Sequence, residues 1–369
     1  MKFRCERDVL VEALSTAARA ATNRANAMPV LSGIHVETAD DGLVVTGTDL
    51  ELTIRTRVPV TVADGGAAVL PARLASDVAK SLEPGSVEIE IEGEEARIAS
   101  GRSQFALRTP PVDDFPVVAA ASGEAVTVAA GELADALRQV VIAASKDEAR
   151  IILTGVLMAA ESGGLRLVAT DSYRLAVRDL PEATVLSEGQ EVLVPSKALR
   201  ELVQFLGSAD DVIVRLGARE VTFQLATSDT TTIEVSTRLI EGNFPNYRQL
   251  IPSGYPNRLR VAREAMLDAV KRVKLVATDN TPVRISQSAE GVELRAVRQD
   301  VGQAVEEIDA DYEGEELTVA FNPDYLIEGV EAAPGDEIVL ETNDAQKPAV
   351  LRSTSGRDYL YLLMPVRVS

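Results

Sequence analysis

Two landmarks recur three times along this chain at intervals of about 125 residues, and this repeat limits the possible folds more than any other feature. The first is a short alternating stretch that runs into a helical pattern. It reads Phe3-Arg4-Cys5 into Val11-Glu12-Ala13-Leu14, Val126-Thr127-Val128 into Ala134-Asp135-Ala136-Leu137, and Leu259-Arg260-Val261 into Leu267-Asp268-Ala269-Val270. Setting Leu14, Leu137 and Val270 equivalent also aligns Cys5, Val128 and Val261, with offsets of 123 and 133 residues. The second landmark is a proline between a strand and a helix, in Leu70-Pro71-Ala72, Val194-Pro195-Ser196 and Asn322-Pro323-Asp324. Proline suits the first turn of a helix, where its missing N–H costs nothing. These prolines lie 124 and 128 residues apart, so two independent landmarks agree on the period.

After the second helix each copy reads as strands. Val87-Glu88-Ile89-Glu90-Ile91-Glu92 alternates strictly, giving one apolar and one acidic face. Asp211–Leu216 and Glu337–Leu340 occupy the matching places, and Gly42–Thr46 and Gly164–Val168 are strand candidates between the helices. The predicted fold class is α+β: three tandem repeats of one domain, each with two helices packed on antiparallel sheet. Linker compositions near Val118–Glu124 and Pro252–Asn257 set the expected domains at 1–120, 124–250 and 255–369. A chain of 369 residues is long enough for more than one core, since single cores stop growing at about 250–300 residues.

Composition excludes most chemistry. The only histidine, His35, lies in the apolar run Ile34-His35-Val36, where a strand residue is the commoner reading than a base. With one His and one Cys, neither a Cys/His zinc site nor a Cys–His dyad can be built within one chain. No P-loop, dinucleotide fingerprint or G-x-S-x-G elbow occurs. Asp309-Ala310-Asp311-Tyr312-Glu313-Gly314-Glu315 imitates the start of a calcium loop, but its twelfth position is Ala320, so it reads as an acidic turn. The pairs Asp40-Asp41, Asp113-Asp114 and Asp210-Asp211 read as solvated turns. No catalytic residue, metal or cofactor is expected. The lone Cys5 rules out an intrachain disulfide, and no apolar run reaches the roughly 18 residues that span a bilayer, so a cytoplasmic protein without a membrane partner is expected.

Specific stretches then carry a resemblance. Thr46-Gly47-Thr48-Asp49-Leu50-Glu51, Ser100-Gly101-Arg102-Ser103-Gln104-Phe105 and Ala169-Thr170-Asp171-Ser172-Tyr173-Arg174-Leu175-Ala176 come first in order. Gly242-Asn243-Phe244-Pro245-Asn246-Tyr247-Arg248 and Tyr361-Leu362-Leu363-Met364-Pro365-Val366-Arg367 follow. Over its whole length the chain resembles the bacterial β sliding clamps, the processivity subunits of replicative DNA polymerases. The resemblance implies a non-catalytic, head-to-tail homodimeric ring that encircles double-stranded DNA without reading sequence. It also implies partners that carry short clamp-binding peptides, the replicative polymerase and the clamp loader among them.

Residue by residue, the resemblance implies DNA contacts at Arg24, Arg73 and Lys197 and along the loop from Lys146 to Arg150. It implies a peptide pocket formed by Leu153, Thr170, Arg174, Leu175, Pro245 and Leu250 with Leu362, Met364, Pro365, Val366 and Arg367. A subunit interface is expected to set Phe105 and Leu107 against Leu275 and Val276, with Arg102 facing Glu306 or Glu307. Three departures stand out: Ala25 follows Arg24 where a proline is usual, Tyr173 stands beside Arg174, and Gln249 stands where a second arginine is common.

Net charge is the main objection, because a chain at -20 has no long-range attraction for phosphate. The acid is spread evenly, at -6 (12 basic, 18 acidic), -6 (12, 18) and -8 (13, 21) by repeat. A topological link needs little phosphate affinity, and segregation would put acid on the sheets and base on the helices. The third repeat fits this poorly, since its second helix carries Asp324, Glu328 and Glu331. The competing readings are a β-rich enzyme working through carboxylate pairs and a protein scaffold that binds no nucleic acid.

Overall fold

The computed structural model describes residues 1–22, 28–39, 42–161, 163–277, 281–355 and 359–367. Among these are six α-helices: α1 (Arg7–Ala18), α2 (Ala72–Ser81), α3 (Ala130–Val141), α4 (Ser196–Leu206), α5 (Arg263–Lys274) and α6 (Pro323–Ala332). The expected alternation of strand, helix, strands, helix, strands holds in all three repeats.

The repeat extends to single hydrogen bonds. Helices α1, α3 and α5 each follow directly on a strand, leaving the first helical N–H without an intrahelical acceptor. Arg7 donates it to the carbonyl of Gly85, Ala130 to Asp210 and Arg263 to Asp336, each at 2.8 Å. Each acceptor lies immediately before the next strand of its own repeat, so one polar contact fixes the helix start to the sheet in every copy. The proline landmark needs a correction in the third copy. Pro71 occupies the N-cap of α2 and Pro195 immediately precedes α4, whereas Pro323 is inside α6 behind an Asn322 cap. Asn322 accepts from the N–H groups of Asp324 and Tyr325 at 2.9 and 3.3 Å, a side-chain cap that Pro71 does not supply to α2.

The strands form four antiparallel sheets. A five-stranded sheet runs in the order Thr61–Asp64, Lys2–Glu6, Ser86–Glu92, Glu95–Ser100, Ser103–Arg108. An eight-stranded sheet joins two repeats, because Thr232–Arg238 pairs with Leu52–Pro59. A nine-stranded sheet joins the middle repeat to the third, through Arg174–Leu180 on Tyr359–Leu363. The fourth sheet has four strands and ends on Gly302–Ile308. Asp311–Glu313, inside the calcium-loop look-alike, is a short edge strand paired with Arg258–Arg260.

The chain divides into two compact units, Met1–Ala134 with Lys197–Leu239 and Asp135–Ser196 with Ile240–Ser369. The middle repeat therefore gives strands to both. In the first unit α1 and α2 cover a core that includes Phe3, Leu10, Leu14, Ile34, Leu43, Val45, Leu70 and Ile89. Cys5 belongs to it, and burial pushes its thiol up to about 12.

A recurrent turn begins each junction strand. Thr48 Oγ accepts from Leu50 N–H at 3.1 Å and Asp49 Oδ1 from Glu51 and Leu52 at 3.1 and 2.8 Å. Thr170 and Asp171 do the same for Ser172, Tyr173 and Arg174 at 3.2, 2.9 and 3.0 Å. Both turns hold a non-glycine residue in the left-handed region, Leu50 at φ 76° and Ser172 at φ 80°. Gly47, beside the first turn, is where α1 approaches the sheet most closely: a Cβ there would lie 2.0 Å from the carbonyl oxygen of Ala17. That atom is backbone and cannot rotate away. Gly47→Ala is therefore expected to destabilise the protein by about 3 kcal/mol, read as a lower denaturant midpoint at an unchanged m-value. A loss under about 0.5 kcal/mol would show that the helix backs off freely, since surface changes stay within that range.

Candidate functional site

Alternation along a strand decides which side chains can meet. On one face of the nine-stranded sheet, Leu157, Ala159, Val168, Leu175, Val177, Leu193, Val350, Leu360 and Leu362 form a single apolar cluster. Leu175 and Leu362 face each other directly across the junction, and Thr170 faces Leu175 on its other side. The connecting segment lies over this face, with Tyr247 buried on it and Phe244 edge-on to Tyr247 at 6.3 Å.

The corresponding face at the first junction is polar. Counting from Gly33 and Gly155, which begin equivalent strands, His35 stands where Leu157 is, Glu37 where Ala159 is, and Thr46 where Val168 is. On the junction strand itself Thr53 and Arg55 take the places of Leu175 and Val177. Arg55 pairs with Glu234 at 3.1 Å, and His35 is half-buried against Phe115 with ring centroids 5.3 Å apart. Burial lowers the His35 pKa, keeping the ring neutral. So His35 is a strand residue, as expected. Five substitutions of apolar for polar side chains distinguish the two junctions.

The expected pocket residues fall into three groups. Thr170, Leu175 and Leu362 are buried on the apolar face, with the Thr170 hydroxyl bonded to the Arg174 carbonyl at 2.7 Å. Leu250, Met364 and Val366 are exposed at 44%, 37% and 36%, beside half-buried Leu153 and Pro365 and exposed Pro245 and Arg367. The tail bearing Met364 is tied down by its backbone, with Met364 N–H on Tyr173 O at 2.9 Å and Val366 N–H on Ala320 O at 2.8 Å.

Arg174 is not brought to this face. It precedes Leu175 by one position, so its side chain projects to the opposite, helix-bearing side. There it is 4% exposed and engages Asp171 at 3.0 Å, Glu328 of α6, and the Tyr361 hydroxyl at 3.3 Å. Its guanidinium also stacks 4.3 Å above the Tyr325 ring. The acids that misfit the third repeat are thereby explained. Glu328 meets Arg174, while Asp324 and Glu331 meet Lys274 and Lys271 of α5. Tyr247, Tyr361 and Asp171 lie inside the quoted stretches, but nothing in a linear pattern says which face they serve.

Of the expected cationic contacts, Arg24 lies outside the described residues. Arg73 is 88% exposed, 3.9 Å from Asp77 one turn along α2. Lys197, at the start of α4, pairs with Asp49 of the first recurrent turn. Lys146 is exposed, and Arg150 reaches Asp147 at 3.0 Å and the Asp171 carbonyl at 3.3 Å. Arg19 pairs with Glu201 of α4. At the expected interface, Arg102 and Phe105 are exposed, whereas Leu107 is only 6% exposed within its own core. Leu275 is 83% exposed next to half-buried Val276. Glu306 is held by two nitrogens of Arg272 at 2.9 and 2.8 Å, whereas Glu307 is exposed.

Removing a buried cation leaves carboxylates with no counter-charge. Arg174→Met is expected to cost about 3 kcal/mol or more in chemical denaturation, because Asp171 and Glu328 lose their common partner. Stability within about 0.5 kcal/mol of the parent would mean that the network contributes nothing net.

Comparison with known proteins accords with this geometry. Residues 1–119, 127–246 and 248–367 match the N-terminal, central and C-terminal domains of the DNA polymerase III beta subunit, respectively. The beta sliding clamp of Streptomyces coelicolor is 37% identical, with all of both chains covered. The crystal structure of the Bacillus subtilis sliding clamp superposes with a TM-score of 0.91 at 31% identity, again over all of both chains. A sliding clamp from Bartonella birtlesii, solved bound to griselimycin, gives 0.92 at 29% identity over both full chains. This chain belongs to the DNA polymerase III beta subunit family, the beta sliding clamps.

Proposed function

We propose that two copies of this chain close head to tail through two of their edge strands, Gly302–Ile308 and Ser103–Arg108, and that the closed assembly holds double-stranded DNA by topology. As a family member the protein is a polymerase processivity factor and not an enzyme. The observation that carries the ring is the state of the sheets. Two junctions lie within the chain, and at each a strand opened by a recurrent turn pairs with a strand of the next repeat. Gly302–Ile308 is the third repeat's counterpart of the first kind and Ser103–Arg108 the first repeat's counterpart of the second. Both end their sheets. Pairing them between copies joins a four-stranded and a five-stranded sheet into nine, as wide as the junction sheet already present. A contact of two different surfaces that closes by rotation gives a ring.

In this reading the domains are 1–120, 124–250 and 255–369. Phe105 packs near Leu275 and Val276, and Arg102 meets Glu307. The helices face duplex, with Arg24, Arg73, Lys146, Arg150 and Lys197 as its phosphate contacts. Pairing of Lys271, Lys274 and Lys197 with acids leaves little net attraction, which suits a ring that must slide. The pocket takes an extended peptide by its apolar side chains at Leu175 and Leu362, with Leu250 and Met364 as adaptable walls. Arg174 stands behind it, fixing the strand that carries Leu175. The site of action is the cytoplasm. No described helix is long and apolar enough to cross a membrane.

The decisive measurement is retention on nicked circular plasmid after loading by a clamp loader, before and after linearisation. The protein is expected to stay on circles and run off once an end is cut. Equal loss from both would favour a scaffold that binds no nucleic acid. Leu275→Glu, at a position too exposed to matter to the protomer's own stability, is expected to weaken the dimer at least about tenfold in sedimentation. An unchanged dimer would remove Leu275 from the interface.

A further inference from the structure

The pocket has one wall that belongs to neither sheet nor helix. Leu250 closes the short 3-10 turn Tyr247–Leu250, and Pro245 lies just before it. The backbone bonds here are local, with Tyr247 N–H on Pro245 O at 2.7 Å and Ile251 N–H on Arg248 O at 3.4 Å. The turn is seated by side chains. Tyr247 is 2% exposed, and its hydroxyl is buried beside Arg166 without a hydrogen bond to it. Arg166 is gripped by Asp179 through two bonds of 2.6 and 2.7 Å and by Glu161 at 2.6 Å. Glu161 in turn accepts from Arg248 of the turn at 3.1 Å, and the Arg248 guanidinium covers the Tyr247 ring at 4.9 Å.

We propose that Arg166 is a positioning residue of the peptide pocket. It holds Glu161 in place to receive Arg248 and backs the Tyr247 hydroxyl, so that the turn carrying Leu250 is already seated when the pocket is empty. Two observations support this independently of the contacts. Arg166, Val168 and Thr170 share one face of one strand, so the cluster and the pocket lie at opposite ends of the surface the turn crosses. At the polar first junction the cluster is missing: Val44 and Ala39 stand where Arg166 and Glu161 stand, and the linker Asp114-Phe115-Pro116-Val117 has no tyrosine. Where there is no apolar floor to wall in, there is no latch. A wall fixed in advance spares the peptide the cost of ordering it, which shows as affinity without any new contact.

The inference rests on the pocket reading, so the test measures both. Griselimycin, which related clamps bind in solved structures, is the probe on the full-length protein, by calorimetry. Arg166→Met is expected to weaken binding by about 5- to 20-fold, with faster amide exchange in residues 244–251 and unchanged exchange in Gly164–Thr170. Arg166→Lys restores part of the affinity by keeping the charge beside Glu161. Arg248→Ala, which removes a side chain 58% exposed, gives a smaller loss in the same direction and decides the matter should Arg166→Met not fold. Affinity within twofold of the parent in Arg166→Met, or in Arg248→Ala if only that folds, overturns the latch. Leu175→Asp separates the two readings, for undiminished binding there would overturn the pocket itself.

Discussion

Strand pairing across repeat boundaries is the constraint on which the rest depends. A sheet hydrogen-bonds through its backbone, so any two repeats that present edges of matching length can be joined without a dedicated side-chain interface. Thr232–Arg238 on Leu52–Pro59 and Arg174–Leu180 on Tyr359–Leu363 do this inside the chain, and a Thr-Asp turn opens Leu52–Pro59 at one junction and Arg174–Leu180 at the other. The cost is that a tandem array leaves one junction strand unpaired at each end, here Ser103–Arg108 and Gly302–Ile308, and exposed edges invite pairing with another chain. Here the leftover edges are complementary by descent from the same repeat. Closure between two copies satisfies both.

The same geometry explains why one chain carries one apolar pocket although it contains two junctions. The backbone is nearly equivalent at both, and five positions on one face differ. His35, Glu37, Thr46, Thr53 and Arg55 at the first make a surface that water solvates well. Leu157, Ala159, Val168, Leu175 and Val177 at the second make one that must be covered. Tyr247 covers the middle, and Leu175 and Leu362 are buried beyond it at the end where the proposed pocket lies. The Arg166 cluster stands at one end of this floor on the same face, and the Arg174 network lies behind it on the other, where strand alternation keeps it away from the apolar side chains.

Charge follows the same division. Strand Ser86–Glu92 turns Val87, Ile89 and Ile91 inward and Glu88 and Glu92 outward, while Lys2 pairs with Glu88 at 2.7 Å and holds its carboxyl below the usual range. On the helices many cations are matched by acids nearby. An evenly acidic chain is thus no obstacle to enclosing DNA, because enclosure asks for weak, exchangeable contacts.

Periodicity by itself determined the three-fold repeat, the strand–helix order, the inward and outward faces of the sheets and the absence of a Cys/His metal site, since these depend on local alternation and on which residue types exist at all. The family, too, was legible, because short stretches such as Gly242–Arg248 and Tyr361–Arg367 survive in order. What tertiary structure decided was partnership. Arg174 and Leu175 are neighbours in sequence yet serve opposite faces, Leu107 sits on an edge strand but turns its side chain into its own core, and Glu306 is taken by Arg272. Glu328, an apparent misfit, is the counter-charge of an arginine 154 residues away. Pro323 slipped one position because Asn322 caps the helix instead. Such pairings depend on register between strands far apart in the chain, and a linear pattern holds no information about register until the sheets form.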